Sequence, residues 1–200
     1  MSFERSILTI MAKQPVAGRV KTRLAAGLGA GRATGFFRTM LTAQIRRLGR
    51  DPRWSVVLAV SPDSALCANC WPRGLKLHTQ GRGDVGRRMQ HIFDSQPHAD
   101  VVIIGADIPD IRRRHIARAF ALLKNHDAVF GPADDGGFWL VGRRAGIGTD
   151  MFRDVRWSSP HALSDSLKNL ESLKTGFLES LSDIDNIDDY RRWNRSRNSR

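Results

Sequence analysis

The 200-residue sequence predicts a three-layer αβα fold around a mostly parallel sheet, and three observations carry that prediction. Short apolar runs of strand length alternate with stretches of helical periodicity. The first, second and fourth runs are apolar throughout, as expected of strands covered on both faces. Glycines, acids and bases gather just beyond the runs, where ligands of open α/β sheets bind.

Taken in order, strands are expected at residues 6–11, 54–60, 75–79, 101–105, 128–131 and 138–141, with a weaker one at 176–179. The sixth follows the fifth after a short Gly/Asp-rich turn, too short for a parallel crossover, so it is expected to be antiparallel or an edge element. A helix is predicted over 112–124, with Ile116, Phe120 and Leu123 on one face. Another is predicted over 160–174 through Leu163, Leu167, Leu170 and Leu173, with Ser159 as N-cap and Pro160 in its first turn.

Composition bounds the rest. With 41% hydrophobic residues and no Pro/Gly/Ser-rich linker, residues 1–189 are expected to form a single domain, followed by a frayed basic tail at 190–200. The apolar runs fall far short of the roughly 18 residues a membrane helix needs. Glu4 and Arg5 precede only six largely apolar residues, with no small-residue cleavage site, so no signal peptide is read and a cytoplasmic location is expected. Cys67 and Cys70 form a lone CANC whose nearest histidine is His78, which suits two reduced thiols better than a zinc site. The net charge of +12 raises nucleic acid as a partner, but five arginines of that excess lie in the last eleven residues. Nucleic acid is therefore disfavoured, and several of the remaining cations sit beside glycines and strand ends, where a small phosphorylated ligand accounts for them equally well.

The segment AKQPVAGRVKTRLA, 12–25, follows the first strand with Lys13, Arg19, Lys21 and Arg23 around Gly18 and no acid. It reads either as a phosphate cradle entering a helix or as a solvated basic loop with Thr22 as cap; it is not a Walker A loop. GADIPD puts Asp107 just past the fourth strand, placed to hold a divalent cation or to shape the turn, while Asp110 reads as the cap of the next helix. GPADDGGF offers Asp134, Asp135, Gly136 and Gly137, either close to a ligand's hydroxyls or forming an ordinary hairpin turn. In DIDNIDDY, Asp188 and Asp189 suit a first helical turn, which leaves Asp185 as a possible second metal ligand. With no paired histidines at metal spacing and no GxSxG, zinc hydrolysis and a lipase-type triad are poor readings. The three glutamates, Glu4, Glu171 and Glu179, lie away from these loops, so a general base would be an aspartate.

Taken in series, KQPVAGRVKTRLA, GRGDVGRRM, GADIPD, DAVFGPADDGGFWLVG, MFRDVRWSS and DIDNIDDY resemble a family of short, glycosyltransferase-like chains with the Rossmann-like GT-A fold of nucleotide-diphospho-sugar transferases. The resemblance spans nearly the whole chain. It implies that Lys21 and Arg23 contact nucleotide phosphates, with Lys13 and Gly18 in the same loop, and that Gln80, Gly81, Gly83 and Asp84 lie where the base is read. It further implies Asp107 and Asp185 as ligands of Mg²⁺ or Mn²⁺, Asp135 as a catalytic carboxylate, and Asp134, Gly136, Gly137 and Trp157 around sugar or acceptor. Phe138 and Trp139 stand where the family often has two tyrosines, and Arg87 where it often has glutamate, which leaves the acceptor open. The closing DID and the KTRL also resemble nucleotidyltransferases. Three functions are thus expected in descending order: a metal-dependent transferase using a nucleotide sugar, a nucleotidyltransferase using a nucleoside triphosphate, and a non-catalytic polyanion binder.

Overall fold

The computed structural model describes residues 6–198; Glu4 and Arg5, and the last two residues of the basic tail, lie outside the described residues. Seven strands form one sheet: β1 (Ser6–Lys13), β2 (Ser55–Ser61), β3 (Lys76–Thr79), β4 (Asp100–Gly105), β5 (Ala128–Pro132), β6 (Phe138–Arg143) and β7 (Thr175–Phe177). Their spatial order is β3-β2-β1-β4-β6-β5-β7. The pairs β1–β2, β1–β4, β2–β3 and β5–β7 are parallel, whereas β6 runs antiparallel to both β4 and β5. The short turn before β6 therefore has the expected consequence for direction, and β6 lies inside the sheet rather than at its edge.

The helices are α1 (Thr22–Leu28), α2 (Ala30–Leu48), α3 (Val85–Asp94), α4 (Arg113–Leu123), α5 (Ala162–Lys168) and α6 (Ile187–Asn198). Strand pleating divides the core into two layers. Leu8, Ile10, Leu58, Val102 and Ile104 face Phe37, Leu41 and Ile45 of α2 and Ile116, Phe120 and Leu123 of α4. Ala59, Val101, Ile103, Phe130 and Val141 face Met89, Ile92 and Phe93 of α3, with Phe152, Ala162 and Leu170. Each fully buried Leu or Ile contributes about 1.5–3 kcal/mol, so the two apolar layers hold the strand ends where the site is built.

Three local expectations are corrected. The helix expected from 160 begins at Ala162 and ends at Lys168: Ser159 is not its cap but accepts from the His161 N–H within the preceding turn. Asp110 does not cap α4, whose N-cap is Arg112; the Arg112 N–H is satisfied instead by His115 Nδ1, and Asp110 pairs with the Arg112 guanidinium. The basic tail is helical through Asn198, because Tyr190 and Trp193 pack edge-on against Phe36 of α2 at 5.1 and 5.5 Å. Cys67 ends a short 3₁₀ turn (Asp63–Cys67), and both it and Cys70 are exposed free thiols. No helix among the described residues is long and apolar enough to cross a membrane.

Candidate active site

The chain path changes direction between β1 and β4: β2 and β3 extend the sheet on one side of β1, and β4 begins the other. The loops leaving the carboxyl ends of β1 and β4 consequently diverge and leave a crevice. A cleft of about 900 Å³ lies there, lined by Lys13 at the end of β1, by Arg19 and Lys21 in the loop that follows, by Arg23 at the start of α1, by Asp107 after β4, by Asp135 and Gly137 after β5, and by Asp183 and Asp185 ahead of α6.

Lys21 is the hub. It is the N-cap of α1 with φ 49°, a left-handed conformation that costs a non-glycine residue about 1–2 kcal/mol. That backbone turns its side chain inward, where it is 6% exposed. Lys21 Nζ lies 3.0 Å from Asp107 Oδ2 and 3.7 Å from Asp185 Oδ1, while Arg23 Nη1 reaches Asp185 Oδ2 at 2.7 Å. Two segments remote in sequence are brought to it by specific packing. The main-chain carbonyl of Asp107 accepts from the N–H of buried Ile184, which sets Asp183 and Asp185 on either side of that contact. Gly105 leaves room for the Asp107 carboxylate, since a Cβ there would fall 2.7 Å from Oδ1.

Asp183 keeps an exposed surface, yet its carboxyl lines the cleft. Desolvation there, then the negative charges of Asp107, Asp185 and Asp135, push its pKa up to about 6 against the opposing pull of Lys21. Asp135 Oδ1 accepts from the Gly137 N–H at 2.9 Å. Gly136 is held at φ 82° against Pro160, whose carbonyl would lie 2.3 Å from a Cβ, and its own carbonyl accepts from Leu163 in α5. Trp157 packs over Gly86 and against Phe138 and Phe152, forming a wall of the cleft.

Some expected residues stand elsewhere. Asp134 is hydrogen-bonded by the Ser182 hydroxyl, and neither it nor Gly136, Gly18 or Gly81 lines the cleft. Gly18 supplies a left-handed turn (φ 77°) in open space, and the Gly81 N–H donates to Asp63. Gln80 is buried, and its Nε2 is occupied by the carbonyls of Ala12 and Ala59. Asp84 is the N-cap of α3, accepting from Arg87 N–H at 2.8 Å, though both it and Gly83 border the cleft. Arg88 was missed by the sequence reading: its Nε donates to Gly83 O and its Nη1 lies 3.4 Å from Ser61 Oγ, which holds its guanidinium at the cleft edge. Only its position in the first turn of α3, after a glycine-rich loop, could have signalled this.

Among the described residues, no three His, Cys, Asp or Glu side chains are set to ligate one ion together. The pair Asp107 and Asp185 nevertheless converges on a single cation position, held here by Lys21 Nζ. That suits an ion such as Mg²⁺, which takes one or two carboxylates and fills its remaining positions with water and phosphate oxygens.

Several known proteins are similar to this chain. A candidate nucleotide-diphospho-sugar transferase from Desulfovibrio desulfuricans G20 superposes with a TM-score of 0.87 at 26% identity, covering 98% of this chain and 88% of its own. A manganese complex of Rv0371c from Mycobacterium tuberculosis H37Rv shares the fold at a TM-score of 0.53 and 17% identity, over 94% of this chain and 97% of that one. In sequence, a 3-phospho-D-glycerate guanylyltransferase from Phenylobacterium zucineum (strain HLK1) is 38% identical over 55 residues, which is 27% of this chain and about a quarter (25%) of that relative. The fold is therefore that of the nucleotide-diphospho-sugar transferases. A family profile matches residues 44–159, from α2 through β6 to the Trp157 wall, with the Lys21 loop and the Asp185 segment flanking it. The chain belongs to the family described as "Uncharacterized protein conserved in bacteria (DUF2064)".

Proposed function

We propose that this chain is a divalent-cation-dependent transferase that binds the phosphates of a nucleotide, with a nucleotide-diphosphate sugar as donor and a hydroxyl-bearing acceptor. The observation that carries the reading is the convergence of Asp107 and Asp185 on one cation position inside a cleft walled by Lys13, Arg19, Lys21 and Arg23. Such a wall suits a pyrophosphate group, because ammonium and guanidinium donors strengthen as phosphate charge accumulates. Asp107 and Asp185 would hold Mg²⁺ or Mn²⁺ where the Lys21 ammonium stands, the ammonium turning to the phosphates, and the ion would neutralise charge on the phosphate oxygens.

The chain's own residues do the rest. Lys21 and Arg23 stabilise the leaving oxygen as the bond between it and the sugar's anomeric carbon breaks. Asp135 accepts the proton of the acceptor hydroxyl as the new glycosidic bond forms, and the nucleoside diphosphate departs. The backbone around Gly83 meets the base, since the Gln80 amide nitrogen and the Asp84 carboxylate are occupied within the fold. Trp157 and Gly137 border the sugar. Residues 6–198 act in this reading as one functional unit, and its free thiols suit a cytoplasmic setting.

A second reading, nucleotidyl transfer from a nucleoside triphosphate with pyrophosphate leaving, draws on the 38% identical segment of the guanylyltransferase. The same site serves both, and a phosphate acceptor needs no base. The deciding experiment incubates the purified protein with nucleotide sugars and with nucleoside triphosphates, with and without Mg²⁺ or Mn²⁺, and resolves products by chromatography and mass spectrometry. Metal-dependent release of nucleoside diphosphate, lost in Asp107→Ala, is expected. Pyrophosphate release in its place moves the assignment to the second reading. Failure of every nucleotide to bind or turn over sinks both.

A further inference from the structure

A second cavity of about 810 Å³ lies back to back with the active-site cleft, between α2, the loop 108–112 and α6. The two share Ile108, and Gln44 on the floor of the second donates through Nε2 to the carbonyl of Gly105, which borders the first. Three features of this groove concern a ligand. First, Gln44 is only 3% exposed and its Oε1 has no hydrogen-bond partner among the described residues. A buried carbonyl left unmet costs about 1–3 kcal/mol, and because this oxygen is sealed from the groove, an N–H donor entering the groove recovers that cost only once the Gln44 side chain turns outward.

Second, the groove is cationic. Arg32 is exposed on α2, while Arg47 and Arg112 both donate to the carbonyls of Pro109 and Ile111 and so hold their guanidiniums close together. The one acid of the lining, Asp110, is already paired with Arg112 at 3.3 Å. Burial and then the like charge of Arg112 hold the Arg47 guanidinium below its ordinary pKa, a repulsion that a bound anion relieves. Third, the half-buried rings of Phe36, Tyr190 and Trp193 make an aromatic wall on the α6 side. Flat rings stack on such walls with about 1–3 kcal/mol each.

We propose that this groove is a second small-ligand site, taking an anionic, flat heteroaromatic molecule with an N–H donor, a nucleoside monophosphate being the simplest class that supplies all three groups. The anion meets the arginines, the ring meets the aromatic wall, and the ring N–H meets Gln44 Oε1 once that side chain turns outward from its sealed position. The cavity is of the size that small-molecule sites commonly have, about 300–1,000 Å³. The assignment stands on residues outside the cleft and does not depend on which transfer reaction the cleft performs.

The test is equilibrium binding of each of the four ribonucleoside 5′-monophosphates, and of inorganic phosphate, in EDTA, to wild-type protein and to the Lys21→Ala and Arg32→Glu variants. Arg32 is exposed, so its replacement leaves the fold intact. Expected is binding of at least one monophosphate that persists in Lys21→Ala and weakens about tenfold or more in Arg32→Glu. Three results would overturn the proposal: binding lost in Lys21→Ala but kept in Arg32→Glu, which assigns it to the cleft; phosphate binding as tightly as every monophosphate; or no binding of any monophosphate to wild type.

Discussion

The two walls of the cleft are built from different physics. One is a wall of charge, in which Lys21, Arg23, Asp107 and Asp185 come from three distant segments and meet at 2.7 to 3.7 Å. The other is a wall of close packing, in which Trp157 covers Gly86 so tightly that a Cβ there would fall 2.5 Å from the indole, and Pro160 is backed from outside the cleft by Gly136, which fits under its carbonyl. Partly exposed ion pairs contribute little to stability, whereas backbone overlap in a packed turn has no cheap relief. The charged wall should therefore be costly to function and cheap to stability, and the packed wall the reverse.

The largest expected effect tests the first half of that contrast. Asp107→Asn keeps the shape of the side chain but removes its charge, and should lower transfer activity by about a hundredfold or more with only a small change in melting temperature. A comparable loss of stability would show that the charged wall is structural. Next in size is Gly136→Ala, where positive φ and contact with Pro160 combine; a destabilisation of about 3 kcal/mol is expected in chemical denaturation. An unchanged midpoint would mean that the packed wall yields easily.

A smaller effect separates Lys21's backbone from its ammonium. Lys21→Gly and Lys21→Ala both delete the cation, but glycine relaxes the left-handed strain, so the glycine variant should be more stable than the alanine variant by about 1 kcal/mol while both are inactive. The smallest concerns His115, buried against Trp139 with Nε2 3.2 Å from Glu179. Burial, outweighing the attraction of Glu179, lowers its pKa in the folded state below the ordinary 6.5. The unfolded chain then binds the extra proton first, so this residue's contribution is intact above pH 6.5 and declines as pH falls through that value toward the folded pKa. The stability difference between wild type and His115→Gln should narrow over that interval; a constant difference would exclude the titration.

Much of the frame is legible in the sequence because apolar periodicity reports burial directly. The fully apolar runs that became β1, β2 and β4 are the strands covered on both faces, and the direction of β6 followed from the length of one turn. Strand ends then located the cleft, since Lys21 and Asp107 follow the two strands at which the topology changes direction. Caps were harder. Ser159 and Asp110 have the right residue type for helix starts, but α5 begins only after the turn that receives Gly136, and α4 takes its first bond from His115. The tail misled for another reason: its arginines dominate the composition, while Tyr190 and Trp193 find their partner, Phe36, some 150 residues away on α2. The siting of Arg88 and the crowding of acid around Asp183 depend likewise on contacts that no local spacing encodes.

The meeting of α1 with α6 bears on how the molecule is made. Gly27 lies against Ile187 so closely that a side chain at Gly27 would strike it at 2.8 Å, and this seam stands beside the pairing of Arg23 with Asp185. Arg23 is therefore made 162 residues before the acid that pairs with it. A chain interrupted in translation between residues 107 and 185 would carry Lys21 together with Asp107 but Arg23 without Asp185, so the second carboxylate of the cleft is added only after the last strand of the sheet has been made.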